Sequence, residues 1–205
     1  MTLAALATTS DLTNRLGRSL TPAEVNRAPK LLADASAVVR ARARQDIIRT
    51  STTQRVRPIA MPERVGSVEW PAFVRLPQRP VNAVTAIVDI DGNVLVDGVD
   101  FRWVGGQKVA IAYPSYVDVT YDHGFDGTND PRGVLDAMAG IVCQIVGRAL
   151  GRPADETALT QETVDGYSYT VGAHAAAGPF GLLDDEEAAI DALLGRSTAT
   201  SMRLA

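Results

Sequence analysis

The residues of this chain that could do chemistry are few: two histidines, one cysteine and a handful of carboxylates close in sequence. His123, in Tyr121-Asp122-His123-Gly124, could serve in acid–base catalysis with Asp122 as its orienter. Neighbouring residues on a strand point to opposite faces, so this pair cannot form without a turn. His174 lies in a stretch rich in Ala and Gly, where catalytic geometry could not be held. Cys143 falls inside an apolar helical pattern and is expected to act as a small hydrophobe. Asp89-Ile90-Asp91-Gly92-Asn93, with Asp97 and Asp100, approaches calcium-loop spacing. The sixth position is Val94 where glycine is needed, so a hairpin turn is the better reading. Asp184, Asp185, Glu186 and Glu187 form a carboxylate cluster, which in the first turn of a helix complements the dipole. No phosphate loop, GxGxxG, GxSxG or paired CxxC is present. The expectation is a non-enzymatic protein with no catalytic residue, cofactor or metal.

The elements around these residues follow from pattern and punctuation. Thr9 or Ser10 can cap a short helix that Gly17 ends. Thr21-Pro22-Ala23-Glu24 fits a capping box with proline at the first helical position, and Leu20 and Val25 stand where a hydrophobic staple would. Val25, Ala28, Leu31, Leu32, Ala35, Val38 and Val39 then recur at helical spacing. Pro29 interrupts that stripe and predicts a kink or a restart.

Prolines at 58, 62, 71, 77 and 80 exclude continuous helix beyond that point. Val84, Ala86, Val88 and Ile90 alternate with Thr85, Ile87 and Asp89, and Asp91-Gly92 supplies a turn toward Val94 and Val96. Phe101 to Val104 and Lys108 to Tyr113 flank Gly105-Gly106, which can take positive φ at both positions. Val117, Val119 and Tyr121 face one way, and Asp118, Thr120 and Asp122 the other, as in an antiparallel strand with one wet face. Asp130-Pro131 is expected to open a long buried helix closed by Gly151, carrying Val134, Leu135, Met138, Ile141, Val142, Ile145, Val146 and Leu150. Gln161 to Val171, with Tyr167, Tyr169 and Val171 on alternate positions, reads as an extended arm. Residues 172–181 read as a flexible run. Asp184 as N-cap, Glu187 at N3 and Gly195 as stop delimit a last short helix, followed by a loose tail.

The fold class is therefore α+β: a helical core of two long helices plus short terminal helices, with an inserted antiparallel β-module. The expected boundaries are 1–52 and 125–195 for the helical core, 53–124 for the β-module, 160–181 for the C-terminal arm and 196–205 for a flexible tail. At 205 residues and 46% hydrophobic the chain can bury a sizeable core. The net charge of −4 argues against a surface that grips nucleic acid throughout. One local exception is the basic run Arg40, Arg42, Arg44, Arg49, Arg55 and Arg57. Arg40, Arg42, Arg44 and Arg49 are candidates for contact with DNA or an acidic partner, against the plainer reading of a solvated helix end. A single cysteine suits a reducing cytoplasm, and no run is judged close to the roughly 18 apolar residues of a membrane helix.

The order of these features resembles one family. Leu16-Gly17-Arg18-Ser19-Leu20-Thr21-Pro22-Ala23-Glu24 leads into Leu31-Leu32-Ala33-Asp34-Ala35-Ser36. Leu76-Pro77-Gln78-Arg79-Pro80-Val81 follows, then a β-insertion with Asp100-Phe101-Arg102-Trp103. Val117-Asp118-Val119-Thr120-Tyr121-Asp122-His123-Gly124 precedes Pro131 and the buried helix, and Glu162-Thr163-Val164-Asp165-Gly166-Tyr167-Ser168-Tyr169 precedes the last one. Over about residues 5 to 195 this set is similar to the head-to-tail adaptor (connector) proteins of long-tailed bacteriophages. Pro29 departs from the smoother helix of that family.

The resemblance implies a structural virion protein of the capsid–tail neck, made in the bacterial host cytoplasm. It implies a homo-oligomeric ring, typically dodecameric, that binds the portal protein and receives a stopper or tail-completion protein. Genomic DNA would pass through the channel without specific binding, and no membrane is involved. Partner and inter-subunit contacts would fall on the arm and last helix: Thr163, Val164, Tyr167, Tyr169, Val171, Leu183, Ile190, Leu193 and Leu194. A DNA-binding module using the run from Arg40 to Arg57 is the alternative.

Overall fold

The computed structural model describes residues 3–66, 68–112, 115–151, 161–164, 167–170 and 180–195. The chain is α+β and divides into two compact units, residues 1–44 with 130–205, and residues 45–129.

The first unit is helical. Helix α1 (Thr9–Leu16) is capped one residue earlier than expected, by Thr8, because Asp11 completes a capping box with it and Gly17 closes the helix in the left-handed region. Helix α2 (Pro22–Ala43) starts as its sequence predicts: the Glu24 carboxylate accepts from the Thr21 N–H at 2.8 Å, and Thr21 Oγ1 accepts from the Glu24 N–H. Pro29 does not interrupt it; the helix runs unbroken to Ala43. Pro29 lies on the exposed side, and Val25, whose carbonyl loses its helical donor there, is 50% exposed and open to water. The buried stripe is Ala28, Leu32, Ala35, Ser36, Val39 and Ala43. Ser36 is satisfied within it, donating to the Leu32 carbonyl and accepting from the Leu6 N–H.

Helix α3 (Val134–Gly151) packs against α1 and α2 and is the most buried element of this unit, with Met138, Val142, Ile145 and Val146 fully enclosed. It begins later than Asp130-Pro131 suggests. Gly133, at φ +64°, stands immediately before the helix, and the Asp130 carboxylate reaches forward to accept from the N–H groups of Val134 and Leu135 at 2.6 and 2.8 Å. By length and composition α3 is apolar enough to cross a membrane, which corrects the expectation that no run comes near that size. Its apolar residues are those that fill this core. Gly140 lets α1 approach: a Cβ there would lie 3.1 Å from the Arg15 guanidinium, which reaches Asp136.

The second unit is all β. Strands β1 (Thr50–Val56), β5 (Val81–Asp89) and β8 (Val117–His123) form one antiparallel sheet in the order β1-β8-β5. Strands β4 (Ala72–Arg75), β6 (Phe101–Gly105) and β7 (Lys108–Ile111) form another in the order β4-β7-β6, and β2 (Glu63–Val65) pairs with β3 (Val68–Trp70). One core joins the two sheets, including Val74, Leu76, Ile87, Phe101, Val109, Ile111, Val119 and Tyr121. Along β8 the alternation is as read from sequence, with Val117, Val119 and Tyr121 buried. On β5 it is not. Register shifts between Val81 and Ala83 and between Val84 and Ala86 change the phase, so Ile87 is fully buried while Ile90 is 59% exposed. Gly105 and Gly106 both take positive φ, as the hairpin requires.

Candidate interaction surface

The chemical candidates are used inside the two units. His123 continues the buried face of β8 beyond Tyr121, its ring 5.2 Å from the Tyr121 ring, and neither ring nitrogen has a hydrogen-bond partner. Burial pushes its pKa below the ordinary 6.5, against the opposing pull of Asp46 and Asp122, and favours neutral imidazole. With no exposed surface, this ring cannot meet a substrate. Burial likewise pushes the Cys143 thiol up, away from the reactive thiolate. The Asp89 carboxylate accepts from the Asp91 and Asn93 N–H groups at 2.9 and 2.8 Å, so it builds the turn at Gly92. That local demand is what the calcium-like spacing serves.

The basic run is also largely committed. Arg40 donates to the Ala4 carbonyl. Arg42 pairs with Glu187 at 3.1 Å and with Asp191. Arg49 pairs with Asp126 at 2.7 Å, and the Thr128 hydroxyl, the Arg49 guanidinium and the Thr128 N–H together hold the Asp126 carboxyl well below the usual range. Arg55 forms a two-pronged bond to Asp118 at 2.9 Å on each arm. Arg44 is exposed and closes α2 with φ +50°. A lattice of carboxylates around Arg42, Arg49 and Arg55 removes most of the positive field that phosphates would need.

The carboxylate cluster has a larger role than dipole complementation. Helix α4 (Asp184–Leu193) takes Leu183 as its N-cap, not Asp184, because the Glu186 carboxylate accepts from the Leu183 N–H at 3.0 Å. Glu186 is 4% exposed and bound by Arg148 of α3, Nη2 to Oε2 at 2.9 Å; the same guanidinium donates to the Gly181 carbonyl at 3.1 Å. Asp191, 7% exposed, meets Arg42 of α2. Two ion pairs thus tie α4 to α2 and α3, while Ile190 and Leu194 are buried in the unit's own core. That packing removes Ile190 and Leu194 from any free surface. Leu183 and Leu193 stay partly exposed, and Leu193 lines a groove of about 620 Å³ with Ala137, Ile141, Gln144 and Ala189.

Between α3 and α4 the segment read as an extended arm contains a hairpin. Strand β9 (Gln161–Val164) pairs antiparallel with β10 (Tyr167–Thr170), Val164 opposite Tyr167 and Thr163 opposite Ser168. It shares no sheet with any other described strand. Thr163, Val164, Tyr167 and Tyr169 therefore lie on the hairpin, while Val171 and the tail from residue 196 lie outside the described residues. Sequence reasoning missed the hairpin although Asp165-Gly166 carries the same turn signal as Asp91-Gly92.

No family model matches this chain, and no curated protein does. Among solved structures it is similar to a chain of the "Neck of empty GTA particle computed with C6 symmetry", with 17% identity and a TM-score of 0.49 over 77% of this chain and 86% of that one. A chain of the "Virion of native gene transfer agent (GTA) particle" is 18% identical, with a TM-score of 0.47 over 72% and 81%. A chain of the "Neck of native GTA particle computed with C12 symmetry" is 17% identical, with a TM-score of 0.45 over 77% and 87%.

Proposed function

We propose that this chain is a head-to-tail adaptor of a tailed, phage-like particle: a structural, non-catalytic subunit of a homo-oligomeric ring in the capsid–tail neck. In this reading the ring sits below the portal protein, continues the DNA channel and receives a stopper or tail-completion protein. The observation that carries it is the C-terminal hairpin. A lone two-stranded ribbon is at best marginal in water and gains by lying on another surface. It lies in sequence between α3 and α4, and α4 is anchored by Arg42 and Arg148. A hairpin that shares no sheet with any other described strand suits a contact between subunits.

The order of the sequence motifs supports the same reading: the capped α2, the inserted β-module, the buried α3 and the arm follow one another along the chain. Partner contacts are assigned to Thr163, Val164, Tyr167, Tyr169, Val171, Leu183 and Leu193, while the buried Ile190 and Leu194 hold α4 in its own unit. In the β-module, Ile90, Val94, Val96 and Val99 are each more than half exposed and offer an apolar surface for packing between subunits. An acidic chain in which Arg42, Arg49 and Arg55 of the basic run are matched by carboxylates suits a channel through which DNA slides without sticking.

The test is removal of the gene from the particle's genome. DNA-filled heads and free tails that do not join are the expected products; normally joined particles would contradict the proposal.

A further inference from the structure

We propose that the outer edge of β1 is the seat for the β9–β10 hairpin of a second copy of this chain, which builds the ring by strand addition; this rests on the ring reading above. The edges of the β-module are not equivalent. The outer side of β5 is occupied by the chain that returns after Gly92: Leu95 donates to the Ile87 carbonyl and Asp89 to that of Asn93. The outer side of β4 is closed by Ile59, which exchanges two backbone bonds with Phe73. The start of β6 is held by Gly98, which donates to the Phe101 carbonyl, and its end carries a register shift between Trp103 and Gly105. Bulges and covering segments are how folded sheets protect their edges.

Strand β1 has none of these protections. It pairs with β8 over seven consecutive residues without a register shift, and no other described strand lies beside it. Its only charge, Arg55, is turned across β8 and held by Asp118, so it does not guard the edge. Thr53 is likewise bonded across the pair, to Thr120 at 2.8 Å. What remains is an edge about 23 Å long whose outer backbone groups pair with no other described strand.

The hairpin complements this edge. Each of its strands has four residues, about 13 Å of backbone, which fits within the length of β1. Of the three arginines in residues 49–57, Arg49 and Arg55 are paired within the β-module and Arg57, just past β1, meets no carboxylate among the described residues, whereas residues 161–170 hold Glu162 and Asp165 and no base. Nine residues separate Gly151 from Gln161 and nine separate Thr170 from Phe180, enough for a reach of roughly 30 Å from the root. Seating the hairpin of one copy on β1 of the next makes a head-to-tail contact, the kind that closes into a ring when the rotation allows.

The experiment uses two full-length variants in a Cys143→Ala background, one carrying Thr53→Cys and the other Ser168→Cys. They are mixed at the highest soluble concentration with a short bis-maleimide, alongside each variant alone and the double variant. A covalent heterodimer in the mixture, well above either variant alone and suppressed by excess cysteine-free chain, is expected. A mixture that gives no heterodimer overturns the proposal, and an adduct confined within single chains of the double variant would show that the hairpin seats on its own β1. Deleting residues 161–170 separates the two claims. Loss of assembly without a heterodimer leaves the arm in place and refutes only its seat, while assembly that survives the deletion refutes the arm reading as well.

Discussion

Replacing Arg148 of α3 with methionine removes the cation that holds Glu186 and keeps an apolar stem of similar length in its place. In the folded chain Glu186 is 4% exposed and accepts from Arg148 Nη2 at 2.9 Å and from the Leu183 N–H at 3.0 Å. After the change only the Leu183 donor remains for a carboxylate still held out of water. Removing one partner of a buried pair costs about 3–5 kcal/mol, and the surviving N–H places this case at the low end, about 3 kcal/mol. For a chain of this length that is a fall in Tm of roughly 6–12 °C. Replacing both partners, Arg148→Met with Glu186→Leu, removes the stranded charge and is expected to recover most of the loss, to within about 1 kcal/mol of the parent. Urea unfolding of the four proteins of this cycle measures the difference. A single variant as stable as the parent, or a double variant no better than the single, would refute the argument that this pair anchors α4.

Gly124→Ala places a Cβ 2.7 Å from the Ile48 carbonyl oxygen at a residue with φ +91°, so the β-module should lose at least about 3 kcal/mol; an unchanged urea midpoint would contradict that. His123 has a folded pKa below its unfolded value of 6.5, so the unfolded chain binds more protons at acid pH. Its contribution is complete above about pH 6.5 and is lost as pH falls below that, by at most about 1.4 kcal/mol per pH unit; the slope should shrink in His123→Phe, and equal slopes would refute the assignment. Because Arg42 and Arg49 are matched by carboxylates, the isolated chain should show little affinity for duplex DNA in a filter-binding titration, even at low salt. Retention that falls steeply with salt and is lost in Arg44→Ala would restore the DNA-contact reading.

Local signals were the legible ones. Thr21-Pro22-Ala23-Glu24 specifies the start of α2 because all its partners lie within three residues, and the alternation of β8 names its own buried face. The features that escaped depend on distant partners. The bulges of β5 exist only in relation to β8, so the exposure of Ile90 cannot be read from alternation alone. Arg42 and Asp191 stand 149 residues apart in sequence, which made Arg42 look like a surface cation and Asp191 like an ordinary helix acid. Asp130-Pro131 imitates an N-cap and first helical residue, yet the carboxylate caps across a glycine that lets the chain turn first. Of the interaction surface, the arm's position in the chain was legible and its pairing was not.

Where this chain sits in the assembled particle, and in how many copies, is the most direct test of the adaptor proposal. Symmetry-resolved cryo-microscopy of intact particles measures both. A closed ring of identical subunits between portal and tail, each hairpin resting on its neighbour, is the predicted result. A single copy, or density for this chain only away from the neck, would contradict it.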